Sequence, residues 1–209
     1  MDLCRSVAGD EAKLYRCVTG AYNAIEILSH DPKYRLSALE KDPFAFCKTQ
    51  PENFLEGCYT NMLPAVLMNK DYDLMTAARM VEAIAEPGDT YTVRTGVMLS
   101  LFHEFIRVHL ADPDYDILEG VRLCRSLKPR SVLPCIDGLA GGHMKYGEPG
   151  NEYVRGLAFC GMPELTAAES DRCFGYILPR LRNWYSVEKT KSICESVDEH
   201  YRTAYCWGI

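Results

Sequence analysis

Leu123-Cys124-Arg125-Ser126-Leu127-Lys128-Pro129-Arg130-Ser131-Val132-Leu133-Pro134-Cys135-Ile136-Asp137-Gly138 holds two cysteines eleven positions apart. A large apolar residue precedes the first, another follows the second, and a glycine comes shortly after. Lys128-Pro129 interrupts the interval, as a turn would. The same frame recurs four times. Cys4 with Cys17, Cys47 with Cys58, Cys160 with Cys173 and Cys194 with Cys206 are separated by 13, 11, 13 and 12 positions. Leu3, Phe46, Phe159 and Ile193 precede the first cysteines, and Val18, Tyr59, Phe174 and Trp207 follow the second. Gly20, Asn61, Gly175 and Gly208 close the frame. Gaps between couples are longer, from 21 to 66 positions, so the pattern is an internal repeat.

The longest gap, between Cys58 and Cys124, holds a sixth copy. Asp71-Tyr72-Asp73-Leu74 matches Asp114-Tyr115-Asp116-Ile117, and the cysteine positions that follow become Val81 and Val93, with Gly96 closing the frame. Both cysteines are replaced together, which a bonded pair requires if no orphan thiol is to be left. The copies centre on residues 4–17, 47–58, 81–93, 124–135, 160–173 and 194–206.

Three readings of the thiols compete. Zinc sites bring ligands close together, as C-x2-4-C with H-x3-5-H; here no C-x-x-C occurs to accompany His103 and His109, and the other histidines are scattered. Free buried cysteines, behaving as small hydrophobes, explain the apolar neighbours but not the pairing or the joint loss. Disulfides within each couple explain all three features and imply an oxidising compartment, extracellular or periplasmic. The expected bonds are Cys4–Cys17, Cys47–Cys58, Cys124–Cys135, Cys160–Cys173 and Cys194–Cys206. Their apolar neighbours are expected to be buried, with Val81 against Val93.

Between the punctuation marks the chain reads as helix. Glu11 to Leu28 sets Leu14, Cys17, Val18, Tyr22, Ile25 and Leu28 mostly three and four apart. Tyr72 to Ala85 and Thr90 to Leu110 do likewise. Turns fall at Asp31-Pro32, Glu86-Pro87-Gly88-Asp89, Asp112-Pro113, Lys128-Pro129 and Gly161-Met162-Pro163. No run alternates as a strand would. The fold class is all-α, an array of about six antiparallel helical hairpins forming a single domain over residues 1–209, with ten to twelve helices in total. Each hairpin but the third carries a staple.

Copy lengths of 34 to 43 residues, one cysteine pair per copy and helical patterning resemble an α-solenoid of the tetratricopeptide and Sel1-like kind, in its cysteine-rich secreted form. The Trp, Leu-Gly and Tyr signature of tetratricopeptides is not met. The resemblance implies a fold and a binding role and transfers no functional residue. Cys4 and Cys206 lie near the two ends, and Met1-Asp2-Leu3-Cys4-Arg5 lacks the basic head and apolar core of a signal peptide. A piece of a longer exported chain is therefore expected.

Charge narrows the partners. With 29 acidic against 23 basic residues the net charge is −6, the wrong sign for neutralising phosphate backbones, so nucleic acid is not an expected partner. Gly96 to Leu110 is too short and too charged to span a bilayer.

Candidate chemistry is sparse. Leu139-Ala140-Gly141-Gly142-His143-Met144-Lys145-Tyr146-Gly147 could bring backbone near a ligand, with His143 and Tyr146 as contacts. Its competing reading is a helix fraying into a glycine-rich connection. Neither phosphate-loop pattern occurs. His103 and His109 are six apart, so no H-E-x-x-H site forms, and they read as interface histidines. No G-x-S-x-G elbow is present. Glu119, Glu152, Glu164 and Glu169 read as helix-surface charges. Aromatics such as Tyr22, Tyr59, Tyr146, Tyr153, Tyr176, Trp184 and Tyr185 could line a groove, and most read as packing between copies.

The expected function is a non-catalytic scaffold that binds a protein or peptide on its concave face, with no cofactor. The alternative is an enzyme, a glycosidase or lyase, on an α/α-barrel. A thiol oxidoreductase is argued against by the missing C-x-x-C.

Overall fold

The computed structural model describes residues 2–29, 31, 33, 42–68, 73–84, 93–110 and 115–206. Among the described residues there are eleven α-helices, three 3-10 segments and no strand. The helices are α1 (Asp2–Val7), α2 (Glu11–Ser29), α3 (Leu55–Met68), α4 (Leu74–Glu82), α5 (Val93–His109), α6 (Ile117–Arg125), α7 (Pro129–Lys145), α8 (Glu152–Cys160), α9 (Ala167–Ile177), α10 (Val187–Glu195) and α11 (Glu199–Tyr205). The 3-10 segments are Cys47–Thr49, Glu52–Phe54 and Leu178–Asn183. None of these helices is long and apolar enough to cross a membrane.

Starts are set by side chains that take up the unpaired amides of a first helical turn. Asp73 accepts from the Thr76 amide, Asp116 from Leu118, Ser186 from Lys189 and Asp198 from His200. Thr166 and Glu169 form a reciprocal capping box on α9. Pro129 opens α7, where its missing amide costs nothing.

All five couples are disulfide-bonded as their spacing predicts, and no described cysteine is free. Their Cα atoms lie 5.3 to 6.2 Å apart, inside the range of about 4.4–6.8 Å that a disulfide needs. Four bonds join successive α-helices or their caps: α1 to α2, α6 to α7, α8 to α9 and α10 to the cap of α11. Cys47 lies in a 3-10 turn and bonds to Cys58 in α3.

The chain divides into two compact units, Met1–Val97 and Met98–Ile209, with the division inside α5. In the first unit α3 packs on α2, where Gly57 faces Tyr15 and Thr19 and Phe44 meets Tyr59 edge-on at 5.1 Å. Val18, Tyr22, Met62, Leu63, Val66, Ala77, Ala78 and Val81 are buried there. In the second, α7 packs on α6, α8 and α9 and is buried from Pro134 through Met144. Arg125 reaches both carboxylate oxygens of Glu169, at 2.9 and 2.6 Å, and Arg172 pairs in the same forked manner with the buried Asp137.

Several expectations need correction. Leu3 is 78% exposed, because α1 turns only its Cys4 side inward and adjacent helical residues point about 100° apart. Phe46 and Leu123 are half-buried, while Phe159, Ile193, Val18, Tyr59, Ile136 and Phe174 are buried as expected. The glycine-rich stretch does not fray; it is the second half of α7. Pro32, Asp71, Tyr72, Glu86 to Asp89, Asp112 to Asp114, Trp207 and Gly208 lie outside the described residues.

Candidate functional site

Glycine decides how the site is built. A Cβ at Gly138 would lie 2.6 Å from the Leu99 carbonyl oxygen, and one at Gly142 would lie 2.7 Å from Ile106 Cβ. A Cβ at Gly141 would collide with His103 Nε2. Without those side chains α7 approaches α5 closely. The approach carries the last turns of α5 alongside the end of α7, so Glu104 Oε1 accepts a 2.8 Å hydrogen bond from the Tyr146 hydroxyl.

Glu104 is the hub of this junction. Its Oε2 accepts from Arg107 Nε at 2.5 Å, and Lys145 Nζ stands 3.9 Å from Oε1. Burial pushes the carboxyl up, but the bonds from Arg107 and Tyr146 and the two cations together hold it below its ordinary value. Tyr146 moves the other way, raised by burial and by donating to Glu104. Arg107 Nε is thereby committed, and its remaining nitrogens make no hydrogen bond among the described residues.

Beside the junction lies a cleft of about 370 Å³, lined by Arg107, Leu110, Tyr146, Gly147, Glu148 and Arg155. Arg155 comes from α8, is exposed, and has no ion-pair partner among the described residues. The cleft thus presents two guanidiniums, one carboxylate, a phenol ring and an aliphatic wall.

The two residues singled out from the sequence take different places. Tyr146 lines the cleft. The His143 ring is 3% exposed, lies 5.4 Å from the Phe159 ring, and neither of its nitrogens finds a hydrogen-bond partner among the described residues. Burial and then the charge of Arg155 lower it to about 4, so it is neutral near pH 7. His103, also half of the α5–α7 contact, is lowered to about 4 by burial and Lys145 against the opposing pull of Glu104. Both histidines are packing groups in this arrangement, and Glu104 is tied up as an ion-pair acceptor. Arg107 and Arg155 escaped sequence reading, because residues 48 positions apart meet here only through packing. The one local signal, Glu104 three residues before Arg107, marks an ordinary helix pair.

Among the described residues no three His, Cys, Asp or Glu side chains gather into a metal-binding group. Compared with protein-family models, curated proteins and solved structures, the chain matches none of them.

Proposed function

We propose that the chain is a non-catalytic helical-repeat module of an oxidising compartment, secreted or periplasmic, that binds a protein or peptide partner. The supporting observation is the make-up of the cleft. It offers Arg107, Arg155 and Tyr146 as recognition groups, while the neighbouring carboxylate, Glu104, is held by three partners. That is a set of groups for holding a chain rather than for moving a proton.

The repeat supports the same reading. Six copies of one frame, five of them bonded across 11 to 13 positions, fit a tetratricopeptide- or Sel1-like array in which every pair of helices but the third is stapled and each rests on its neighbour. Disulfides persist where thiols are not kept reduced, which is the basis for the compartment.

The test is selection of a displayed random-peptide library on the purified, oxidised protein. The expected result is a family of peptides that bind saturably and lose binding when the protein is reduced. Failure to enrich any peptide, or hydrolysis or elimination on a panel of oligosaccharides, would replace this reading with the α/α-barrel enzyme.

A further inference from the structure

We propose that the cleft beside α7 is a carboxylate-binding subsite for an acidic segment of the partner, with Arg155 and Arg107 as its two anchoring cations; this rests on the peptide-binding reading above. Arg155 is exposed on α8 and unpaired among the described residues, within a chain whose net charge is −6. An open guanidinium in an acidic molecule attracts the anion that the rest of the surface repels. Arg107 completes the pair. Its plane is fixed through Nε by Glu104, which is itself steadied by the Tyr146 hydroxyl, so its free edge is oriented in advance. Planar forks held in place match a carboxylate better than a flexible ammonium does.

Charge on the lining agrees. Arg107 and Arg155 face one exposed carboxylate, Glu148, while Glu104 and Lys145 behind them offset each other. Leu110 and the Tyr146 ring add an apolar wall suited to the methylenes of Glu or to a C-terminal side chain. A phosphate dianion fits less well. The cleft sits at the C-terminal end of α7, where carbonyls carry the partial negative charge; that field opposes every anion, and a dianion about twice as strongly as a singly charged carboxylate.

The experiment is fluorescence anisotropy with three labelled hexapeptides on the intact oxidised protein. One has Glu and Asp side chains and an amidated end, one is neutral with a free C-terminal carboxylate, and one is neutral and amidated. Binding is expected for one or both of the carboxylate peptides, which identifies the source of the group, and not for the third. Arg155→Glu is expected to weaken it roughly 10- to 100-fold, with an unchanged melting temperature showing that the fold is intact. Arg130→Glu makes the same charge change at the other end of α7, roughly 24 Å away at about 1.5 Å per residue, and is expected to leave binding unaltered. Equal loss in both variants, no loss in Arg155→Glu, or inorganic phosphate competing below the concentration of acetate required would overturn the subsite. A library-selected peptide that binds Arg155→Glu as tightly as the parent would refute the subsite alone and leave the peptide-binding reading standing.

Discussion

Gly138 shows what one absent methyl does. Alanine there would gain about 1 kcal/mol of helix propensity. Its Cβ would also meet the Leu99 carbonyl oxygen at 2.6 Å, and backbone cannot swing aside as a side chain can. Overpacking of this kind costs about 1–3 kcal/mol. Gly138→Ala is therefore expected to lower the unfolding free energy by up to about 2 kcal/mol in urea titrations. Gly20→Ala, with nothing within 4 Å, should be neutral or stabilising. Equal effects at both positions would contradict the close α5–α7 contact. Histidine gives the second residue-scale expectation. His103 and His143 are lowered from 6.5 to about 4 by burial, so between those values the unfolded chain binds protons that the folded chain refuses. Stability is then fully present above pH 6.5 and is lost as pH falls toward 4, by about 3 kcal/mol per histidine at most. Glu56 and Asp137, raised by burial, oppose this at the lower end of the window. His143→Phe should flatten the slope of unfolding free energy against pH, and an unchanged slope would remove His143 from the explanation.

At the scale of elements, a bonded loop of this length restricts the unfolded chain by about 3 kcal/mol in the entropy model. The link from α4 to α5 is the one copy without that restriction, since Val81 and Val93 stand at the cysteine positions. Val81→Cys with Val93→Cys is expected to form a sixth bond, seen as a mass twelve hydrogens below the fully reduced form, where the parent is ten below, and a gain of about 3 kcal/mol in stability. Either single variant should show a free thiol and no gain. A double variant that keeps both thiols while the other five bonds form would break the six-copy alignment. This level was the most legible in the sequence. Couples 11 to 13 apart with apolar neighbours led to the five bonds, and three-four spacing led to α2 within a residue of its observed end. The glycine-rich half of α7 was not legible as helix, because glycine's low propensity argues for fraying and only tertiary contact with α5 reverses it. The burial of Leu3 failed for a related reason: a cysteine's neighbour is buried only where a second element covers it.

For the whole molecule, the all-α class and the acidic balance were readable at once, whereas the cleft was not. Arg107, Tyr146 and Arg155 share no spacing rule, and they converge because α7 is smooth enough to let α5 approach. What holds these elements is one covalent link per couple, and that can be read directly. Every couple has a lysine or arginine between its cysteines: Arg5, Lys48, Arg125, Arg172 and Arg202 are examples. Trypsin under non-reducing conditions therefore leaves the two cysteines of each couple on different peptides joined only by the bond. Mass spectrometry of that digest is expected to show five linked species, Cys4–Cys17, Cys47–Cys58, Cys124–Cys135, Cys160–Cys173 and Cys194–Cys206, and an intact protein ten hydrogens lighter than after reduction. A peptide linking cysteines of two different couples, or a protein whose mass does not change on reduction, would contradict the bonded all-α fold and the repeat proposed for it.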